Sequence, residues 1–201
     1  MADSPSNPAR RRFLTGAASA VGAVGVGFAA VPFLSSFQPS AKAEAAGAPV
    51  DVNIGKLSPG QMTTVSWRGK PVYVVHRTER MLESLSDVED KLADPESAVT
   101  SQQPGFAVNR FRARQGNEQF LVIVGLCTHL GCAPTYRPEV AAEDLGADWK
   151  GGFFCPCHGS KFDLSGRVYR GVPAPTNLEV PEYVYVSDDI IKVGGTEEES
   201  A

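Results

Sequence analysis

From Val50 onward, apolar and polar residues mostly alternate along the chain. Val50, Val52 and Ile54 form one alternating stretch, and Met62 to Trp67 and Pro71 to His76 form two more on either side of Arg68-Gly69-Lys70. The glycine-centred gap predicts a hairpin turn. Gln119 to Val124 (QFLVIV) predicts a buried strand. Val180 to Val186 and Ile190 to Val193, with Ser187-Asp188-Asp189 between them, predict a closing hairpin. Only Glu79 to Ala93 carries a helical pattern: Met81, Leu82, Leu85, Val88 and Leu92 share one face, and Pro95 ends it. Near the N-terminus, Phe13 to Phe37 is an uncharged run rich in Ala and Gly, moderately apolar throughout. As a helix it spans about 37 Å, longer than the roughly 30 Å core of a bilayer. The pattern predicts a mainly β, antiparallel head behind a single transmembrane helix.

Charge sharpens the reading of the N-terminal segment. No charged side chain stands between Arg12 and Lys42, whereas Arg10-Arg11-Arg12-Phe13-Leu14 precedes the apolar run. This resembles a twin-arginine export signal, with Ala9 where such signals usually carry Ser or Thr. Signals of this kind are addresses read by a receptor, used for proteins exported already folded. Arginines ahead of the run place the N-terminus in the cytoplasm and the body in the periplasm. Two fates stay open. Ala41-Lys42-Ala43 and Ala43-Glu44-Ala45 both fit cleavage sites, but the run exceeds an ordinary signal core, which favours retention as an anchor in the bacterial inner membrane. The expected division is a tail over 1–12, an anchor over 13–37, a hinge linker over 38–49, a head over 50–195 and an acidic tail over 196–201. The linker reads equally as a short helix or a flexible tether. Pro32 is expected to kink the far end of the anchor, and the glycines of 16–27 suit packing against another membrane helix rather than a nucleotide.

Composition excludes more than it identifies. In 201 residues there are 20 Gly and 15 Pro, which suits a loop-rich β architecture. Lys+Arg number 19 against 23 Asp+Glu, for a net charge of −4, so the basic excess of a nucleic-acid binder is missing. The length leaves no room for a large two-domain enzyme.

All 4 cysteines and two of the 3 histidines sit in two short boxes. The first is Cys127-Thr128-His129-Leu130-Gly131-Cys132, and the second is Cys155-Pro156-Cys157-His158-Gly159-Ser160. Thiolate and imidazole donors select iron–sulfur or zinc rather than calcium or magnesium. The C-x-H and C-x-x-H spacings supply two of each donor and leave one surplus cysteine per box. A structural zinc site on these four ligands, or two disulfides without metal, both remain readings. The economical one is four ligands plus a bridge, since surplus cysteines oxidise outside the cytoplasm.

The pair of boxes resembles the signature of Rieske iron–sulfur proteins, more specifically the Rieske subunit of ubiquinol–cytochrome c reductase, respiratory complex III. Trp67-Arg68-Gly69-Lys70-Pro71, His76-Arg77-Thr78, the proline loop Pro173-Ala174-Pro175 with Asn177-Leu178, and the N-terminal signal match that subunit too. The resemblance implies an antiparallel β-sandwich with a small cluster-binding subdomain over about 125–172, and one [2Fe–2S] cluster per chain. It implies Cys127 and Cys155 on one iron, His129 and His158 on the other, and a disulfide between Cys132 and Cys157. Ser160 is expected to donate its hydroxyl to a cluster sulfur. His158 is expected to meet the quinol, with Leu130, Gly131 and Lys161 flanking the docking tip. The implied partners are ubiquinol, cytochrome b, a c-type cytochrome and the membrane, in a dimeric complex. Two neutral imidazoles in place of thiolates make the cluster easier to reduce, and reduction raises the pKa of their outer nitrogens, so electron and proton travel together. The family often has Tyr where Phe162 stands, which implies a lower midpoint potential here. Val172 also separates Gly171 from Pro173, where many relatives read G-P-A-P.

Rival readings are the small Rieske subunit of a periplasmic oxidoreductase such as arsenite oxidase, a Rieske dioxygenase component, and a zinc interaction module. Among the remaining polar residues, His76 is read as structural. Arg110, Arg112 and Arg114 are read as a solvated strand face, and Asp87, Glu89 and Asp90 as the exposed face of the helix.

Overall fold

The computed structural model describes residues 7–196, so all of the predicted acidic tail except Thr196 lies outside the described residues. The chain divides into two compact units, 1–45 and 46–201.

The first unit is dominated by α1 (Pro8–Ser35). Its start is set by local chemistry. The Asn7 side chain accepts hydrogen bonds from the backbone N–H groups of Ala9 and Arg10, and Pro8 takes a first-turn position where its missing N–H costs nothing. The helix therefore begins before the expected anchor and carries Arg10–Arg12 in its opening turns. At 28 residues, with a mean hydropathy of 1.9 in its most apolar window and no buried residue, it is long and apolar enough to cross a membrane. Pro32 lies in its last turns, where Ser35 and Ser36 hydroxyls donate to the carbonyls of Pro32 and Phe33. The linker left open by the sequence contains a short helix, α2 (Ala41–Gly47), begun by the Ser40 hydroxyl, which accepts from Ala43 N–H.

The head is built from three three-stranded sheets, all antiparallel. The first joins β1 (Val50–Asn53) to the closing hairpin β8 (Tyr183–Ser187) and β9 (Ile190–Val193), in the order β1-β9-β8. The second runs β2-β3-β4, from β2 (Met62–Trp67), β3 (Lys70–His76) and β4 (Phe120–Val124). The β2–β3 turn is only two residues, Arg68 and Gly69, with φ of +51° and +72°. Positive φ at both positions is the type I′ geometry that matches strand twist. The third sheet is small: β5 (Thr135–Arg137), β6 (Gly152–Phe154) and β7 (Lys161–Phe162).

Most of β3 and all of β4 are buried, so both faces of the central strand and of its neighbour are covered. One core gathers Val52, Tyr183 and Ile191 from the first sheet, Val72, Val74, Leu121 and Ile123 from the second, and Phe153 and Phe162 from the third. The mainly β, antiparallel reading thus holds.

Two expectations change. The predicted helix over 79–93 is α3 (Glu79–Glu83) followed by a tighter 3₁₀ segment (Ser84–Lys91). The hydroxyls of Ser84 and Ser86 donate to the carbonyls of Met81 and Glu83, offering those carbonyls local partners in place of the α-helical ladder. Leu85, Val88 and Leu92 are still buried. None of the arginines of 110–114 lies on a strand, and only Arg110 is exposed as expected. Arg112 is wholly buried in a turn at φ +51°, and its guanidinium donates to the carbonyls of Ser165, Gly166 and Gln102. Arg114 donates to the carbonyl of Tyr183 at 2.8 Å.

Candidate metal centre

Each box is a strand-to-strand loop: β4 runs into the first, and the second joins β6 to β7. The two loops share a design. In the first, Cys127 N–H donates to Cys132 O at 2.8 Å, and Gly131 N–H returns to Cys127 O at 2.9 Å. In the second, Cys155 N–H donates to Ser160 O at 2.8 Å, and Gly159 N–H returns to Cys155 O at 3.0 Å. Gly131 and Gly159 have φ of +79° and +77°, with open space where a Cβ would stand. Their role is therefore conformational: the left-handed backbone closes the loop. Gly152 differs, because a Cβ there would lie 2.0 Å from Phe162 O, so only glycine lets β6 approach β7 below the second box.

The first loop is also held from beneath. The Tyr73 ring packs under Gly125, and its hydroxyl donates to Pro134 O at 3.1 Å, so one β3 side chain brackets the box at both ends.

This folding brings the chemistry together. Cys132 and Cys157 are joined in a disulfide that ties the two loops, with Cα atoms 6.6 Å apart. Cys127 and Cys155 are free and buried in the core. The rings of His129 and His158 meet edge to face, 4.8 Å between centroids. His158 is exposed and His129 half-buried, while Leu130 projects with 72% of its surface exposed. Burial pushes the Cys127 thiol above its ordinary pKa, with the neighbouring Cys155 acting in the same direction. The neighbouring His129 backbone N–H and the Ser160 hydroxyl act in the opposite direction. Cys155 also lies within 4.8 Å of the Cys132 and Cys157 sulfurs, but those two are bonded to each other and are no ligand pair.

The donor set suits a two-iron cluster: two free buried thiols and two imidazoles facing each other. Lys161 lies on β7, where its ammonium donates to Leu145 O at 3.0 Å. His76 is remote from the boxes in the second sheet, with its Nδ1 2.6 Å from Leu57 O and its ring against Phe120.

The proline loop reaches both boxes. Ala174 N–H donates to Ser160 Oγ at 3.1 Å, and Thr128 Oγ1 donates to Thr176 O at 2.7 Å. Val172, the extra residue of this loop, packs against the core. The positioning roles of Thr128 and Ala174 are not apparent from sequence. Ala174 acts through its backbone, and Thr128 bonds a carbonyl 48 positions away.

Residues 49–183 match the family described as "Rieske [2Fe-2S] domain", and residues 1–40 match that described as "Ubiquitinol-cytochrome C reductase Fe-S subunit TAT signal". The ubiquinol-cytochrome c reductase iron-sulfur subunit of Allochromatium vinosum is 57% identical over 94% of this chain and 89% of its own length. The subunit of the same name from Bradyrhizobium diazoefficiens is 43% identical over 96% of this chain and 98% of its own. Among solved structures, a chain of a hyperthermophilic respiratory complex III is 26% identical, covering 89% of this chain and 99% of that one at a TM-score of 0.48. The resemblance read from the paired boxes is borne out, and the arsenite-oxidase alternative is not favoured. With its Rieske domain, its N-terminal signal and these relatives, the chain belongs to the family of Rieske iron–sulfur subunits of ubiquinol–cytochrome c reductase.

Proposed function

We propose that this chain is the electron-transfer subunit that oxidises ubiquinol within a membrane-anchored, dimeric ubiquinol–cytochrome c reductase. Cys127 and Cys155 would hold one iron of the [2Fe–2S] cluster, and His129 and His158 the other. The single observation that carries this reading is the convergence of two free buried thiols and two facing imidazoles, with the surplus cysteines already bridged. When bound, the cluster supplies a one-electron acceptor whose redox state sets the acidity of the outer imidazole nitrogens.

The chain's own residues do the rest. His158, exposed at the tip, accepts the quinol's hydrogen bond and takes its proton on the outer ring nitrogen. Leu130 and Gly131, with Lys161 at their flank, form the face that docks on cytochrome b. Ser160 gives its hydroxyl to a cluster sulfur, which favours the more negative, reduced state. The proline loop keeps water from the buried thiols. The head then passes the electron to a c-type cytochrome. α1 anchors the chain in the bacterial inner membrane with the head in the periplasm, and residues 38–49 are the tether. Shortening the tether should slow turnover and leave the cluster's EPR signal intact; unchanged turnover would count against a moving head.

The direct test is to solubilise native membranes, purify through this chain, and assay iron, acid-labile sulfide and low-temperature EPR. Two irons per chain, co-purifying cytochromes and a midpoint potential that falls with rising pH across the neutral-to-alkaline range are expected. Zinc without iron, or a potential indifferent to pH, would overturn the reading.

A further inference from the structure

The proline loop touches the boxes through Ala174 and Thr176, but its fixed point lies one residue further on. Asn177 is wholly buried, and its side-chain amide is fully engaged. Oδ1 accepts from Val168 N–H at 2.8 Å, and Nδ2 donates to Asp94 O at 3.0 Å and to Ser97 Oγ at 3.4 Å. Leu178 N–H adds a bond to Gly166 O at 2.8 Å. Residues 177–178 are thus pinned to the segment 166–168, which follows the second box, and to the turn at 94–97.

The loop in turn constrains a proton. A serine hydroxyl has one hydrogen to give and two lone pairs to accept with. Ser160 Oγ is buried and already accepts from Ala174 N–H at 3.1 Å. With that side of the oxygen occupied, its own hydrogen is left free for the cluster sulfur to which the site reading assigns it. If Ala174 withdrew, the hydroxyl would be free to turn away from the sulfur.

We propose that Asn177 is a positioning residue for the cluster: it holds the proline loop so that Ala174 N–H aims the Ser160 hydroxyl at a cluster sulfur. The inference rests on the site reading above, in which Ser160 serves a cluster sulfur. It assigns a distant amide a share of the midpoint potential.

The test is a double-mutant cycle in the assembled complex, read by EPR redox titration and by amide hydrogen exchange at Ala174. Ser160→Ala should lower the potential; if it does not, the site reading of Ser160 fails, whatever Asn177 does. Asn177→Ala should lower the potential in the same direction and speed exchange of the Ala174 amide at least tenfold. Added to Ser160→Ala, it should lower the potential no further, because the hydroxyl it aims is gone. Asn177→Ser keeps a smaller neutral hydrogen-bonding group in the same space, and should fall between wild type and Asn177→Ala. It also serves if Asn177→Ala does not assemble. Fully additive shifts, or a wild-type potential in an Asn177 variant whose Ala174 amide exchanges fast, would overturn the proposal.

Discussion

Between Cys127 and Cys132, and again between Cys155 and Ser160, there is no lysine, arginine or carboxylate. These loops are closed by backbone bonds and left-handed glycines, and they expose Leu130, Pro156 and His158. The segment 163–167, three residues past the second box, is the reverse. It is buried throughout and meets three buried guanidiniums, Arg77, Arg112 and Arg167, with Asp163 as the buried counter-charge. Arg167 Nε donates to Asp163 Oδ2 at 2.8 Å, while Asp163 Oδ1 accepts from Ser165 N–H and Arg167 N–H at 2.9 and 2.8 Å. Arg77 donates to the carbonyls of Phe111, Leu164 and Glu118 and to Ser165 Oγ. Burial pulls Arg77 and Arg112 down to about 10, still cationic at neutral pH. Permanent charge is placed where rigid carbonyls solvate it, beneath the loops. Within the two boxes, cysteine and histidine are the only side chains that can carry charge.

That contrast is most sharply broken at Asp163. Asp163→Asn leaves buried guanidiniums without their carboxylate and should cost about 3–5 kcal/mol. Thermal unfolding of the assembled subunit measures it, and a loss under 1 kcal/mol would mean that the carbonyls alone satisfy the arginines. Next is the disulfide. Cys132→Ser frees two loops joined across a separation of 25 residues and should cost about 3 kcal/mol. Its mark is selective, with iron retention falling while the 163–167 segment keeps its hydrogen-exchange protection; equal loss in both regions would deny that tip and base are separate.

Phe162→Tyr probes the boundary. Phe162 is fully buried in the core that holds Cys127 and Cys155. If its new hydroxyl bonds a cysteine sulfur, at a worth of about 1.4 kcal/mol, the midpoint potential rises roughly 60 mV for one electron. A drop in stability with no rise would show that the hydroxyl found no sulfur. The smallest effect is at Gly131→Ala. Its surroundings are open, so only the left-handed backbone resists, at about 1 kcal/mol. A larger loss would mean the loop packs more tightly than its open surroundings indicate.

The two regions were also unequally legible from sequence. The boxes announce themselves because cysteine, histidine and glycine crowd into a few positions, and the Arg68-Gly69 hairpin and β9 follow from alternation and turn chemistry. β5, β6 and β7 have two or three residues each, too few to show a period. The buried arginines gave no local sign. Arg112 finds its carbonyls 53 and 54 positions away, and a lone arginine among polar neighbours reads as surface until the fold supplies those partners. The 3₁₀ segment was misread because spacings of three and four suit both helix types until the serine hydroxyls intervene.

β1 and β9 lie side by side, with Val50 opposite Val193. The polypeptide therefore enters and leaves the head on neighbouring strands. An affinity tag fused behind the last strand starts its path beside the first strand of the head. A bulky fusion at that end would crowd the first strand, so a purification handle belongs in a solvent-facing turn elsewhere in the head, such as 187–189.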